Sequence, residues 1–260
     1  ANVNTPDHDG HTPIYVAASR GYADAIAALK AAGANVNTPD NGGKTPIYIA
    51  AGNGCVSAIS ALITAGANVN TPDHDGHTPI YVAALGGHAE AIGVLRAAGG
   101  NVNMPNKNGH TPVCIAAEKG HANAIAVLKA AGANINKPNK HGDTPACIAA
   151  ENRHVAVINA LKAAGADVNA DGGDDGWTPV FVAAFKGHAE VIRALIAAGA
   201  DVNTPNGDGA TPVLVAAQQG HAAAITALKT AGADVNRAGH TGFAPIFMAA
   251  GGGHVEAIKA

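Results

Sequence analysis

Large side chains are scarce: 260 residues include one Trp, four Tyr and four Phe, too few for a conventional core in a chain this long. Apolar residues still make up 47%, which excludes a chain disordered by composition. Much of that fraction is Ala, which buries little area and suits closely stacked helices, so the core is expected to be shallow and repetitive. Cysteine is also rare. Cys55, Cys114 and Cys147 form an odd set with no Cys-x-x-Cys pair, which argues against a disulfide framework or a zinc knuckle. Free thiols, and with them a reducing, cytoplasmic setting, are the expectation. There is no basic run: 16 Lys and Arg against 19 Asp and Glu give a formal charge of −3, so no nucleic-acid footprint is visible. No apolar stretch approaches the roughly 18 residues that span a bilayer; Arg193 and the glycines interrupt the best candidate near Val191. A soluble chain is expected. It opens at Ala1 without an initiator Met or a signal-like segment, which suggests an excised fragment or a processed chain.

What is present is a repeat. Thr-Pro occurs at Thr12, Thr45, Thr78, Thr111 and Thr144, each 33 residues after the last, then at Thr178 and Thr211, and Ala244-Pro245 closes the series. The step to Thr178 is 34, one residue being inserted in the loop Ala170 to Asp175. Seven full repeats and one truncated one follow, 1–33, 34–66, 67–99, 100–132, 133–165, 166–199, 200–232 and 233–260, read as a single domain. A fixed period of this size signals a solenoid, in which each repeat buries its apolar face against its neighbours.

The local grammar recurs as well. Thr12 is a good N-cap and Pro13 is preset for a first helical turn, so a helix is predicted through Ile14, Val16, Ala17 and Ala18, stopped by Gly21. A second helix follows from Tyr22, with Ile26 and Leu29 on one face, and ends at Gly33, a natural left-handed cap. The pairs Asp9-Gly10, Asp75-Gly76, Asn108-Gly109 and Asp208-Gly209 favour a tight hairpin between repeats.

The stretches T-P-I-Y-V-A-A-S-R-G-Y at Thr12 and T-P-I-Y-V-A-A-L-G-G-H at Thr78, with G-A-D-V-N at Gly199, resemble the ankyrin repeat across essentially the whole chain. The resemblance implies an all-α solenoid: a helix-turn-helix plus hairpin per repeat, stacked into a curved array whose hairpins and first helices form a concave binding surface. One departure runs throughout. Where that family usually has His two residues after the Pro, this chain has Tyr15, Tyr48, Tyr81, Cys114, Cys147, Phe181, Leu214 and Phe247, so the side-chain hydrogen bond typical of that His is not assured. Arg153 replaces an inter-helix Gly and Ala244 replaces an N-cap Thr, so the fifth turn and the last repeat are expected to be less regular. Neither end carries the polar substitutions of a capping repeat, which predicts exposed apolar ends and allows end-to-end packing of an otherwise monomeric chain.

Sites that could carry chemistry have plainer readings. His88, His121, His154, His188, His221 and His254 share one repeat position, and the resemblance makes that His structural, tying the turn to backbone. The fingers His8-Asp9-Gly10-His11 and His74-Asp75-Gly76-His77 each offer two imidazoles and a carboxylate, but variable polar tips are the favoured explanation; no metal or other cofactor is expected. No Gly-x-Ser-x-Gly elbow and no phosphate-cradling loop is present, so no enzyme is expected. The spacing Leu161, Asp167, Val168, Asn169 resembles the asparagine hydroxylation target of animal ankyrin arrays, repeated at Asn203 and Asn236; the plain reading is an Asn bonding its own loop.

What remains is binding. The variable positions implied by the resemblance include Leu85, His77, His110, Glu118 and Lys119, then Lys140, His141, Asp143, Glu151 and Asn152, and later Gln218, Gln219, His240 and Phe243. Only the sixth repeat concentrates large groups, with Asp174, Asp175, Trp177, Phe185 and Lys186, an aromatic anchor beside an acidic loop. The alternative for Trp177 is that it folds back over its hairpin while Phe181 joins the core. The expected function is a non-catalytic scaffold that binds a protein partner, not nucleic acid or membrane, through hairpin tips and first helices. A structural spacer within a longer array, or a designed consensus-like array, is the alternative, since the first and third repeats are nearly identical.

Overall fold

The computed structural model describes residues 2–173 and 175–260; the expected site residue Asp174 lies outside them. Among the described residues there are sixteen helices and no strand. The helices alternate between first helices of seven residues and second helices of nine, the last second helix having five. The residues divide into two compact units, Ala1–Asn134 and Ile135–Ala260, each holding four repeats.

In the N-terminal unit the first helices are α1 (Pro13–Ser19), α3 (Pro46–Gly52), α5 (Pro79–Leu85) and α7 (Pro112–Glu118), and the second helices are α2 (Ala23–Ala31), α4 (Val56–Thr64), α6 (Ala89–Ala97) and α8 (Ala122–Ala130). In the C-terminal unit the first helices are α9 (Pro145–Glu151), α11 (Pro179–Phe185), α13 (Pro212–Gln218) and α15 (Pro245–Gly251), and the second are α10 (Val155–Ala163), α12 (Ala189–Ala197), α14 (Ala222–Thr230) and α16 (Val255–Lys259). Within each unit every first helix packs on the next first helix and every second helix on the next second helix.

Helices of two to three turns are marginal alone, so each end is secured locally. Thr12, Thr45 and Thr78 are 1% exposed and their hydroxyls accept from the amides of Tyr15, Tyr48 and Tyr81, with Pro supplying the first helical residue. The second helix closes in a Schellman turn: the Ala34 amide donates to Leu29 and the Gly33 amide to Lys30, with Gly33 at φ 90°, a conformation that costs other residues about 1 kcal/mol or more. The core is the apolar stripe between helices. Ala50, Ala51, Ile59, Leu62, Ala83 and Ala84 are fully buried, the paired alanines letting first helices approach closely.

At both expected irregularities the backbone keeps its course, though Ala244 forgoes the side-chain cap. Arg153 adopts φ 62°, the conformation its glycine counterparts use, because the turn is held by the Arg153 and His154 amides donating to Ala150 and Ala149. Helix α15 starts at its usual residue although Ala244 offers no capping side chain, since Pro245 is preset for the first turn and the Phe247 amide donates to the Ala244 carbonyl at 3.0 Å instead. The exposed apolar end is present: Ile246, Phe247 and Ile258 are 54%, 57% and 43% exposed, where their counterparts Val213, Leu214 and Ile225 are buried.

Candidate partner-binding surface

The hairpins that carry the surface are organised by one repeat position. Asp7, Asp40, Asp73, Asn106, Asn139 and Asn206 each accept, through Oδ1, the amides two and four residues on, as in Asp73 from Asp75 at 2.9 Å and His77 at 2.8 Å. These side chains imitate a turn of backbone. In the N-terminal unit the tyrosines that replace the family's His bind the same residue of the next hairpin. Tyr15 donates to Asp40 at 3.1 Å, Tyr48 to Asp73 at 2.8 Å, and Tyr81 accepts from Asn106 at 3.2 Å. The side-chain bond left open by the sequence is thus present in a new form, reaching one repeat further.

Electrostatics follow from this packing. Burial, then the neighbouring Asp40, raises the Tyr15 hydroxyl, and burial with the Asp73 bond raises that of Tyr48. Burial of Asp73 works to raise its carboxyl, but the His77 and Asp75 amides, the Tyr48 hydroxyl and the His77 ring together hold it below its ordinary value. His77 stacks on Tyr81 at 4.6 Å, with Nδ1 3.1 Å from Asp73 and Nε2 3.3 Å from Asn106 Nδ2. Asp73, Asp75 and His77, like Asp7, Asp9 and His11, come within metal-ligand reach of one another. The hairpin amides and Tyr48 already occupy the Asp73 oxygens, which leaves an incomplete donor set.

The histidine ladder is structural and joins repeats. Nε2 of His88 lies 3.0 Å from the Gly52 carbonyl and that of His121 3.0 Å from Leu85; in the C-terminal unit His188, His221 and His254 reach Glu151, Phe185 and Gln218 at 3.0–3.1 Å. Each carbonyl belongs to the last residue of the preceding first helix, so the ladder pins the ends of those helices. The closing asparagines also cross between repeats and not only within their own loop. Asn169 Nδ2 donates to Gly199 at 3.1 Å and its Oδ1 accepts from the Asp201 amide at 2.8 Å.

The expected partner residues fall into separate groups. In the N-terminal unit Leu85 is 39% exposed at the end of α5, His77 is engaged as above, and Lys119 pairs with Glu118 at 2.8 Å while His110 lies 3.7 Å from the same carboxylate. In the C-terminal unit Asp175, Trp177, Phe185 and Lys186 converge on one cleft of about 450 Å³, whose other wall is His141, Asp143, Cys147 and Glu151. Gln218 and Phe243 do not line it; Phe243 stacks on Phe247 at 4.4 Å. Of the cleft residues, the sequence marks Cys147 only as a free thiol and gives no sign that Glu151 pairs with Lys186, which it meets at 3.0 Å.

Beside the cleft the sixth hairpin departs from the rule of the other hairpins, as the eighth does at Gly239. Gly172 stands at the turn-organising position, and the hairpin closes instead through a backbone pair with Trp177, 2.9 and 3.3 Å. The Cys147 thiol donates to the Trp177 carbonyl at 3.4 Å, and an added Cβ at Gly172 would sit 3.2 Å from that sulfur. Phe181 is 2% exposed in the core. Trp177 rests half-buried between Phe181 and Phe185, at centroid distances of 5.0 and 5.2 Å, so both alternatives for it hold in part: it lies on its own repeat and still lines the cleft. Burial pushes the Cys147 thiol up to about 11, with Asp143 and Asp171 adding to the rise. All three cysteines are free.

A family profile described as ankyrin repeats (3 copies) matches the chain in overlapping windows, residues 1–73, 53–139, 80–172, 127–206 and 147–239. With the repeating helical architecture, this places the chain in the ankyrin-repeat family. A search of curated proteins finds no match. Ankyrin repeats are in general protein–protein interaction modules and are typically not enzymes. No helix among the described residues is long and apolar enough to cross a membrane.

Proposed function

We propose that this chain is a non-catalytic scaffold that binds a protein partner on its hairpin tips and first helices, with the sixth repeat as the anchor. The observation that carries the reading is the convergence of Trp177, Phe185, Lys186 and Asp175 on one cleft, since large aromatic groups half-sheltered in a pocket dominate interface energies. The site is held ready. His221 and His188 fix the ends of α11 and α9, from which Phe185 and Glu151 project. Little ordering cost is then left for binding. The raised Cys147 thiol is protonated at neutral pH and unfit as a nucleophile, which supports a binding role over a catalytic one. Three free cysteines support a reducing, cytoplasmic location. The test is affinity: with a partner captured by the full chain, Trp177→Ala weakens binding more than any single change in the first three repeats, about tenfold or more. Unchanged affinity overturns the reading. A spacer role is favoured by one specific observation, the near-identity of the first and third repeats, and predicts no such loss.

A further inference from the structure

The cleft between the fifth and sixth hairpins has a definite chemistry. One wall is aromatic, Trp177 and Phe185 inclined to one another at 50°. The opposite wall and the rim are acidic: Asp143, Glu151 and Asp175 face a single ammonium, Lys186. That ammonium shows what the cleft accepts. It sits 3.0 Å from Glu151 and 6.0 Å from the centre of the Phe185 ring, a cation held between a carboxylate and an aromatic face. Asp143 accepts only a neutral amide, Asn139 Nδ2 at 3.1 Å, and Asp175 lies exposed on the hairpin. Neither has a cationic partner among the described residues. At the Cys147 wall, Asp143 and Asp171 add to the effect of burial on the thiol.

We propose, resting on the partner-binding reading above, that the cleft takes an arginine side chain of the partner, stacked on Trp177 and Phe185 and bound to Asp143 and Asp175. A planar guanidinium stacks on an aromatic face and presents a fork of donors to carboxylates, whereas a lysine ammonium does only the second well. Room for such a group is present in about 450 Å³. A neutral apolar side chain would use the aromatic wall and leave the carboxylates desolvated without partners, which costs affinity.

Trp177 is the sole tryptophan, so its emission reports from inside the cleft. The full chain is titrated with the blocked tripeptide acetyl-Gly-Arg-Gly-amide, with its citrulline counterpart, and with its lysine counterpart. The expected result is a saturable emission change with the arginine peptide in the millimolar range, as suits one side chain, at least about tenfold weaker with citrulline and several-fold weaker with lysine. Asp143→Asn combined with Asp175→Asn weakens the arginine peptide about tenfold, with an unchanged urea midpoint showing that the fold is intact. Citrulline binding within about twofold of arginine overturns the proposal, as does equal binding of lysine, or no saturable change up to about 50 mM. The two readings fail separately. If Trp177→Ala lowers affinity for the captured partner while the arginine peptide does not bind, the arginine assignment alone falls; if the peptide binds while Trp177→Ala leaves partner affinity unchanged, the anchor reading falls.

Discussion

The same repeat position is used in opposite ways by the two units. In residues 1–134, three of the four repeats place Tyr15, Tyr48 and Tyr81 there, reaching to Asp40, Asp73 and Asn106 of the next hairpin, while the fourth has Cys114; those three ties join hairpins side chain to side chain. In residues 135–260 that position holds Cys147, Phe181, Leu214 and Phe247; the last three have no side-chain donor, the Cys147 thiol donates to backbone at Trp177, and the sixth hairpin carries Gly172 where the turn-organising carboxylate or amide stood. At the cleft the tie between side chains gives way to the thiol's bond to backbone, and an acidic, aromatic cleft lies beside it. Both units keep the Thr caps, Ala244 excepted, and the closing asparagines and the histidine ladder. A scaffold whose backbone bonds are satisfied by a few fixed residues leaves the remaining positions free to be structural in one place and receptive in another.

The contrast can be broken most forcefully at Phe181. Truncating this buried ring by Phe181→Ala removes the floor under Trp177, and a loss of about 3–5 kcal/mol is expected in urea unfolding, with hydrogen exchange accelerated in 135–260 before 1–134. Tyr48→Phe is the matching cut in the other unit. It deletes one bond to a buried carboxylate at 2.8 Å without opening a cavity, so a loss of about 1.5–3 kcal/mol should be measured. A loss below about 0.5 kcal/mol would show the tie to be incidental.

Acid sharpens the comparison further. Asp73 has its folded pKa held below the ordinary value, so the stability it contributes is complete above the unfolded pKa of about 3.9 and is lost as pH falls through the folded value. The amides Asn139 and Asn206 hold the corresponding hairpins of the other unit without titrating. Urea midpoints followed from pH 6 down to pH 3 should therefore fall less in Asp73→Asn than in the parent chain; parallel curves would remove Asp73 from the account. The smallest effect is expected at Arg153. Its φ of 62° is strained for a side-chain-bearing residue, and its pairing with Glu190 at 3.5 Å is between exposed groups and contributes little. Arg153→Gly should raise stability by about 0.5–1 kcal/mol in thermal or urea unfolding, the relief of strain exceeding the glycine entropy cost.

Much of the scaffold was legible in the residues because it is local. A Thr-Pro start, a Gly-stopped turn and a helix-closing Gly each act within five residues, which is why repeat boundaries could be drawn from spacing alone. Less legible were the ties that span repeats. The column Asp7, Asp40, Asp73, Asn106, Asn139, Gly172, Asn206, Gly239 was available as a signal; it breaks at Gly172, beside the cleft, and again at Gly239. Its meaning depends on a Tyr 25 residues earlier in the chain. Regularity at Arg153 and Ala244 was underestimated for a related reason: stacking against neighbours and flanking backbone bonds override a single unfavourable residue.

By itself the sequence determined the repeat, its helices, its free thiols and the concentration of aromatic and acidic groups near Trp177, because these follow from composition and short-range geometry. Only the tertiary structure decided that Trp177 lies between Phe181 and Phe185, and that His141, Asp143, Cys147 and Glu151 of one repeat face Trp177, Phe185 and Lys186 of the next. Those groups are some 35 residues apart in the chain. Stacking alone brings them together, through helix packing and hydrogen bonds whose partners no single repeat contains.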